Sequence, residues 1–215
     1  MSDLGELLRS PAARLGLKIA GVVVAVALVV TAGWLWLRSE DARGQVALAA
    51  TAEVVQQGEG PLATAEARQQ AIGVLQAVLA QHGRSSAAPQ AAYQLGNLQY
   101  QAGEYGAARA AYEIALAKGA VGSLRTLSAS GIGYTWEAEK NYANAVTAYE
   151  TAVRALDAKQ FFFEEALLDL ARAQELAGRA VEARATYERV LKDAPETRRA
   201  EAIRGRIAAL PPAAK

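Results

Sequence analysis

A ten-residue pattern recurring at a nearly fixed interval constrains this chain more than any other feature. AARAAYEIAL at residues 107–116, NAVTAYETAV at 144–153 and EARATYERVL at 182–191 each carry Ala, an aromatic four residues on, and Ala or Val three beyond. The triples are Ala108/Tyr112/Ala115, Ala145/Tyr149/Ala152 and Ala183/Tyr187/Val190, with a weaker copy at Ala71/Leu75/Val78. Successive first members lie 37, 37 and 38 residues apart. Positions four and seven apart share one face of a helix. The small Ala admits a neighbouring helix, the aromatic fills the groove between helices, and the third residue continues the stripe. A unit of this size cannot bury its apolar face alone, so copies must stack.

Each copy has a partner upstream. Residues 90–102 contain Leu95-Gly96, residues 127–139 contain Ile132-Gly133 and Trp136, and residues 164–177 contain Leu170-Ala171. Short turns join the partners at Gly103-Glu104-Tyr105, Lys140-Asn141-Tyr142 and Gly178-Arg179-Ala180. Gly or Asn at a helix end tolerates the left-handed backbone that closes such a turn. Three helix–turn–helix units follow, and composition agrees: Ala is abundant, and Ala fixes no rotamer and buries no polar group.

These residues resemble the tetratricopeptide repeat (TPR), whose pattern is W-x2-L-G-x2-Y, then A-x3-F, then P. Leu95-Gly96 matches its Leu-Gly pair, and Ile132-Gly133 and Leu170-Ala171 match it loosely. Tyr replaces the Phe of A-x3-F three times, the terminal Pro occurs at Pro195, and Ala92, Ala129 and Leu167 stand where the family has Trp. The longer period suggests longer connectors at residues 121–124 and 158–162. The expected fold is all-α: a TPR-type solenoid with a C-terminal capping helix at residues 196–209, stopped by Pro211-Pro212. Upstream, a helix over residues 65–81 pairs with one over 41–57, shifted by the Gly58-Glu59-Gly60-Pro61 break.

Residues 19–37, IAGVVVAVALVVTAGWLWL, hold no charge. As a helix this run is roughly 28 Å long, near the thickness of a bilayer core. It is apolar on every side, which disfavours a buried soluble helix. Lys18 and Arg38 bracket it, and Trp34 and Trp36 sit at its exit, where amphipathic rings favour the membrane interface. A cleaved signal peptide ending at Thr31-Ala32-Gly33 is the alternative, but it leaves Trp-Leu-Trp-Leu to open the mature chain. The uncleaved anchor is the preferred reading. Arg9, Arg14 and Lys18 precede the run against Asp3 and Glu6, and Arg38 and Arg43 follow with Glu40 and Asp41. This leans only slightly towards a cytoplasmic N-terminus. The expected layout is residues 1–18 short N-terminal segment, 19–37 transmembrane helix, 38–88 linker helix and degenerate first repeat, 89–195 three repeats, and 196–215 cap and tail.

Enzyme chemistry finds little footing. The net charge of +1 gives no field for nucleic acid, and the absence of cysteine excludes disulfides and thiolate sites. His82 is the sole histidine, in His-Gly-Arg-Ser-Ser at a helix end, and reads as a loop-edge residue. A membrane-bound hydrolase would have to recruit it without any nucleophile elbow. Gly131-Ile132-Gly133 follows no strand, so it is no phosphate loop. No catalytic residue, metal site, cofactor or small-molecule substrate is expected. Arg198, Arg199, Arg204 and Arg206 alternate with Glu196 and Glu201 as a solvated cap face. Phe161-Phe162-Phe163 precedes a repeat helix and is expected to be buried between repeats, with an exposed docking patch as the alternative.

The remaining place for function is the concave face, lined by the first helix of each pair. The TPR phase implies Tyr93, Asn97, Tyr100 and Gln101 in the first full repeat, Ser130, Tyr134 and Glu137 in the second, and Leu168, Arg172 and Glu175 in the third. Tyrosines with scattered amides and charges suit an extended or helical peptide, or they simply pack on the next repeat. Asn97 falls at one position of the family's carboxylate clamp, but Tyr93 stands where its first Lys would be. The whole layout is similar to the ancillary SecYEG translocon subunit family (YfgM-like). Gly33-Trp34-Leu35-Trp36, the helix from Asp41, and the segment Ala88-Pro89-Gln90-Ala91-Ala92-Tyr93-Gln94-Leu95-Gly96 carry the likeness. It implies a periplasmic TPR domain on an inner-membrane anchor, with SecYEG, periplasmic chaperones and exported polypeptides as partners. An adaptor for envelope assembly or division, like the Tol–Pal coordinator, is the alternative.

Overall fold

The computed structural model describes residues 11–154, 156 and 160–211. Asp3, Glu6, Arg9, the Arg14 side chain, part of the 158–162 connector, Pro212 and the rest of the tail lie outside the described residues. Among the described residues ten α-helices follow one another: α1 (Pro11–Ala50), α2 (Ala52–Gly58), α3 (Ala65–His82), α4 (Ala88–Gln101), α5 (Tyr105–Ala117), α6 (Gly122–Ala138), α7 (Tyr142–Arg154), α8 (Phe163–Leu176), α9 (Ala180–Asp193) and α10 (Ala200–Ala209). No strand occurs among the described residues. Neighbours in sequence pack as neighbours in space, as a solenoid requires.

The repeated triples form the spine. Ala71, Leu75, Ala108, Ala115, Ala145, Tyr149, Ala152, Ala183 and Val190 are fully enclosed, and Val78, Tyr112 and Tyr187 nearly so. The glycines of the first helices serve close approach. A Cβ on Gly96 would come within 2.6 Å of the Tyr112 ring, one on Gly131 within 2.6 Å of the same ring, and one on Gly133 within 2.4 Å of the Tyr149 ring. Thus Gly131-Ile132-Gly133 is a packing surface for two tyrosines.

All three turns within repeats close alike. Glu104 N donates to Gln99 O, Asn141 N to Trp136 O, and Arg179 N to Gln174 O, at 2.9, 2.8 and 2.8 Å. Each places one residue in the left-handed region: Gly103 (φ 79°), Gly178 (φ 75°) and, in the middle turn, Lys140 (φ 59°) rather than Asn141. There a Cβ bears a conformation that usually selects glycine.

Four expected details change. The helix expected over residues 41–57 divides at Thr51, whose hydroxyl and amide both bond to Leu48 O, at 2.7 and 3.0 Å. Such local bonding competes with the helical ladder. The residues expected as a longer connector at 121–124 mostly belong to α6, which starts at Gly122. The cap helix α10 starts at Ala200, after a turn closed by Thr197 N to Ala194 O at 3.1 Å. Of the three phenylalanines only Phe163 is buried; Phe162 is half-buried and Phe161 is 91% exposed. Phe163 is the first residue of α8 and points into the core, whereas Phe161 precedes the helix and lies outside its packed face.

α1 contains the stretch long and apolar enough to cross a membrane, with mean hydropathy 2.3 and none of it buried. Thr31 returns its hydroxyl to Ala27 O at 2.7 Å, so its polar group needs no water. The Arg38 guanidinium lies over the Trp34 ring, 4.5 Å from its centroid. The same helix then enters the solenoid without a break. Ser86 N donates to Asp41 Oδ1 at 2.8 Å, Gln45 Nε2 to Ser86 Oγ at 3.2 Å, and His82 Nδ1 meets Glu40 Oε1 at 3.1 Å. Gly44 lies so close to Ser85 that a Cβ there would sit 2.1 Å from its Oγ.

Candidate functional site

The first helices α4, α6 and α8 place the expected groove residues on neighbouring turns, but most are engaged by other groups of the solenoid. Tyr93 is half-buried, with its ring 6.0 Å from that of Tyr112. Asn97 Oδ1 accepts the Tyr112 hydroxyl at 2.9 Å. Tyr100 is half-buried beside Tyr105, ring centroids 5.4 Å apart, and burial raises its hydroxyl pKa. Gln101 is exposed, yet its Oε1 accepts Gly60 N at 3.1 Å. Ser130 is buried in the α6 packing face and offers nothing to the groove.

Tyr134 and Arg172 converge on a residue that the sequence reading did not single out. Asp169, 1% exposed, accepts the Tyr134 hydroxyl at 2.5 Å and pairs with Arg172 at 3.0 Å. Arg172 also forks onto Glu137, Nε to Oε2 at 3.3 Å and Nη2 to Oε1 at 3.1 Å, with its guanidinium 5.9 Å from the Tyr134 ring centroid. Burial drives Asp169 above the usual carboxylate range, outweighing the Tyr134 bond and the Arg172 charge. Burial alone would weaken the Arg172 cation, but its bond to Glu137 and the charges of Asp169 and Glu137 hold it above its ordinary value. Burial, then Asp169, raises the Tyr134 hydroxyl. One signal could have flagged Asp169: it is a lone acid one repeat along from the tyrosine it meets, on an otherwise apolar face.

Glu175 continues the line. It accepts the Tyr187 hydroxyl at 3.1 Å and Arg206 Nη1 at 3.1 Å. Burial and the Glu175 charge push Tyr187 up to about 12. Leu168, Arg172, Tyr187, Arg199, Ala202 and Arg206 line a cleft of about 200 Å³ between α8 and α10. A second, apolar cleft of about 230 Å³ opens between α5 and α7, lined by Leu116, Ala129, Ile132, Trp136, Thr147 and Thr151. Beside it the Arg109 guanidinium lies over Trp136, 3.5 Å from the ring centroid, and bonds Glu139 at 3.0 Å.

Chemically these surfaces offer aromatic faces, an arginine edge and apolar clefts. His82 is occupied by Glu40 at the root of α1. Among the described residues no group of three His, Cys, Asp or Glu could hold a metal ion. At the other candidate sites, Lys18, Trp34, Trp36 and Arg38 are all exposed at the two ends of the apolar run.

Two tetratricopeptide repeat profiles match the sequence, one over residues 137–207 and the other over residues 62–123 and 93–160. No curated protein sequence matches it. The fold is similar to the crystal structure of MamA protein, with 18% identity and TM-score 0.52 over 87% of this chain and 88% of that one. It is also similar to BtubC (BKLC) from P. vanneervenii, with 16% identity and TM-score 0.51 over 69% and 61%. A Podosopora anserina kinesin light chain with nearly identical TPR-like repeats gives 20% identity and TM-score 0.56 over 80% and 83%. At these identities the likeness is one of fold.

Proposed function

This chain carries tetratricopeptide repeats across residues 62–207, and we propose that it is a single-pass membrane scaffold whose solenoid binds protein partners and catalyses nothing. The observation that carries this reading is α1. Its exposed apolar half and its packed half are one helix, and Glu40, Asp41, Gly44 and Gln45 are fixed to residues 82–86. A core helix of a soluble protein would be buried; residues 18–38 of this one are exposed. The Trp34, Trp36 and Arg38 cluster suits the bilayer interface.

The partner surface is the concave face. Its tyrosines and the α8–α10 cleft suit an extended polypeptide, held by aromatic faces and by the arginine edge of Arg172, Arg199 and Arg206. The solenoid lies on the periplasmic side of the inner membrane, where it acts as an ancillary subunit of SecYEG together with periplasmic chaperones. The layout of anchor, aromatic exit and repeats supports that placement. Photo-cross-linkers at Tyr100 and Tyr134 in cells test it. Adducts with exported polypeptides or translocon subunits are expected. Adducts with envelope-assembly proteins alone would move the scaffold to that pathway. A solenoid that protease cannot reach in spheroplasts would reverse the orientation.

A further inference from the structure

We infer that the edge of the solenoid carrying the loops between repeats lies on an anionic bilayer surface. This rests on the reading of α1 as a membrane anchor; it holds whichever side of the membrane the solenoid occupies.

The geometry starts from two distinct edges. On one, the turns within repeats meet: Gly60 N bonds Gln101, Gln69 bonds Glu104, Arg109 bonds Glu139, and Arg172 bonds Glu137. On the other, the loops between repeats meet. Ser86 N bonds Asp41, Lys118 Nζ lies beside Gly83, Leu116 and Thr151 share a cleft, and Thr197 bonds Glu164. The end of α1 and helices α4, α6, α8 and α10 all start from this second edge.

α1 fixes which edge faces the lipid. It leaves the apolar run at Leu37, and four residues later Asp41 already holds Ser86 N. Four residues of helix rise roughly 6 Å. The loop of residues 83–87 therefore sits at the height of the headgroups. Three further contacts around Gly44 keep α1 from hinging there.

The composition of this edge fits that neighbour. Val121 is 76% exposed and Phe161 is 91% exposed. Phe162 stands edge-to-face on Phe161, 5.1 Å between centroids, so the two form one aromatic knob. Arg84, Lys118 and Arg125 are exposed, and none is in a salt bridge among the described residues. Val121, with Lys118 and Arg125 close in sequence, suits the interface of an anionic membrane, and the Phe161–Phe162 knob shares its cleft with Arg198 and Arg199 as well as Glu164, Glu165 and Glu196. The opposite edge also exposes Leu62, Leu176 and Val181, with Lys140 and Arg179 among Glu59, Glu104, Glu139 and Glu182, so α1 rather than composition selects the edge.

The chain has no cysteine, so single-cysteine variants of the full-length protein report one position each. Val121→Cys, Phe161→Cys, Lys140→Cys, Glu104→Cys and Val26→Cys would be labelled with NBD and reconstituted in protein-free anionic vesicles containing doxyl-labelled lipid. Loss of fluorescence is expected at 121 and 161, and none at 104 and 140. Position 26 reads the anchor. If 26 is quenched while 121 and 161 stay as bright as 140, the edge faces water and the proposal is wrong, with the anchor intact. If 26 itself is unquenched, the anchor reading fails, and the edge proposal falls with it for that separate reason.

Discussion

The junction of the first and second repeats and the junction of the second and third fill the same slot in two ways. Tyr112 and Tyr149 occupy equivalent positions, and both rings press on glycines of a first helix. Tyr112 is gripped from two sides by Gly96 and Gly131 and gives its hydroxyl to Asn97 at 2.9 Å. Tyr149 lies on Gly133 and edge-on to Tyr134, 5.6 Å between centroids, and its hydroxyl finds no partner among the described residues. Instead the second junction carries the Tyr134–Asp169–Arg172–Glu137 network. At these two junctions the register holds an aromatic ring but leaves its polar end free. One junction answers with a neutral hydrogen bond, the other with buried charge.

The largest effect should be shared. Removing either ring leaves a cavity between packed helices, costing about 3–5 kcal/mol. Tyr112→Ala and Tyr149→Ala should therefore lower the urea midpoint by similar amounts. A much milder effect at Tyr149 would break the equivalence, showing that the charge network rather than the ring holds the second junction.

The next effect belongs to one junction alone. Asp169→Ala strips the acceptor from the Tyr134 hydroxyl and one partner from Arg172, a loss of about 1–3 kcal/mol. Asp169→Asn keeps an acceptor and should cost less. The pH dependence has a definite sign. Burial lifts the folded carboxyl above its ordinary value of 3.8, so the folded state holds this proton more tightly than the unfolded chain. Its contribution is fully present below that ordinary value and is lost as pH rises through the folded one. The stability of the parent relative to Asp169→Asn should fall as pH rises from acid. A parent that gains on the variant over that range would mean that Arg172, not burial, sets the titration.

Much of this comparison was legible beforehand, and the divide is physical. The period and the Ala-aromatic-small triples expose the spine because packing repeats with the fold: all twelve positions named from sequence are buried. The Gly131 and Gly133 pair could be dismissed as a phosphate loop, but which rings it receives depends on helix crossing, which sequence spacing does not contain. Asp169 was missed because Tyr134, whose hydroxyl it accepts, lies on another helix 35 residues away. The Phe161 exposure was missed because composition cannot distinguish the last loop residue from the first helical one. The concave residues were placed by family phase, and whether they face a ligand or each other was left open. Ser130 faces the packing, and the charged members largely face each other.

A gentler probe separates the two hydroxyls. Tyr112→Phe removes a made hydrogen bond and leaves Asn97 Oδ1 short of a donor, costing about 1 kcal/mol. Tyr149→Phe removes a buried hydroxyl that has no partner among the described residues, so it should be neutral or stabilising. Equal losses in the two unfolding curves would show that the Tyr149 hydroxyl is satisfied after all, and the contrast between the junctions would reduce to Asp169.

The smallest effect lies in the turns. The first and third repeats close on Gly103 and Gly178, while the second closes on Lys140 at φ 59°. A side chain in that region costs roughly 1 kcal/mol relative to glycine, partly offset because glycine gives the unfolded chain more freedom to lose. Lys140→Gly should therefore raise the melting temperature slightly, whereas Gly103→Ala and Gly178→Ala should lower it. The three turns share the same closing bond from the residue after the left-handed position, so backbone geometry is held constant across the set. If Lys140→Gly destabilises the chain, the lysine contributes something its backbone strain conceals. In that case the second repeat departs from its neighbours at its turn as well as in its core.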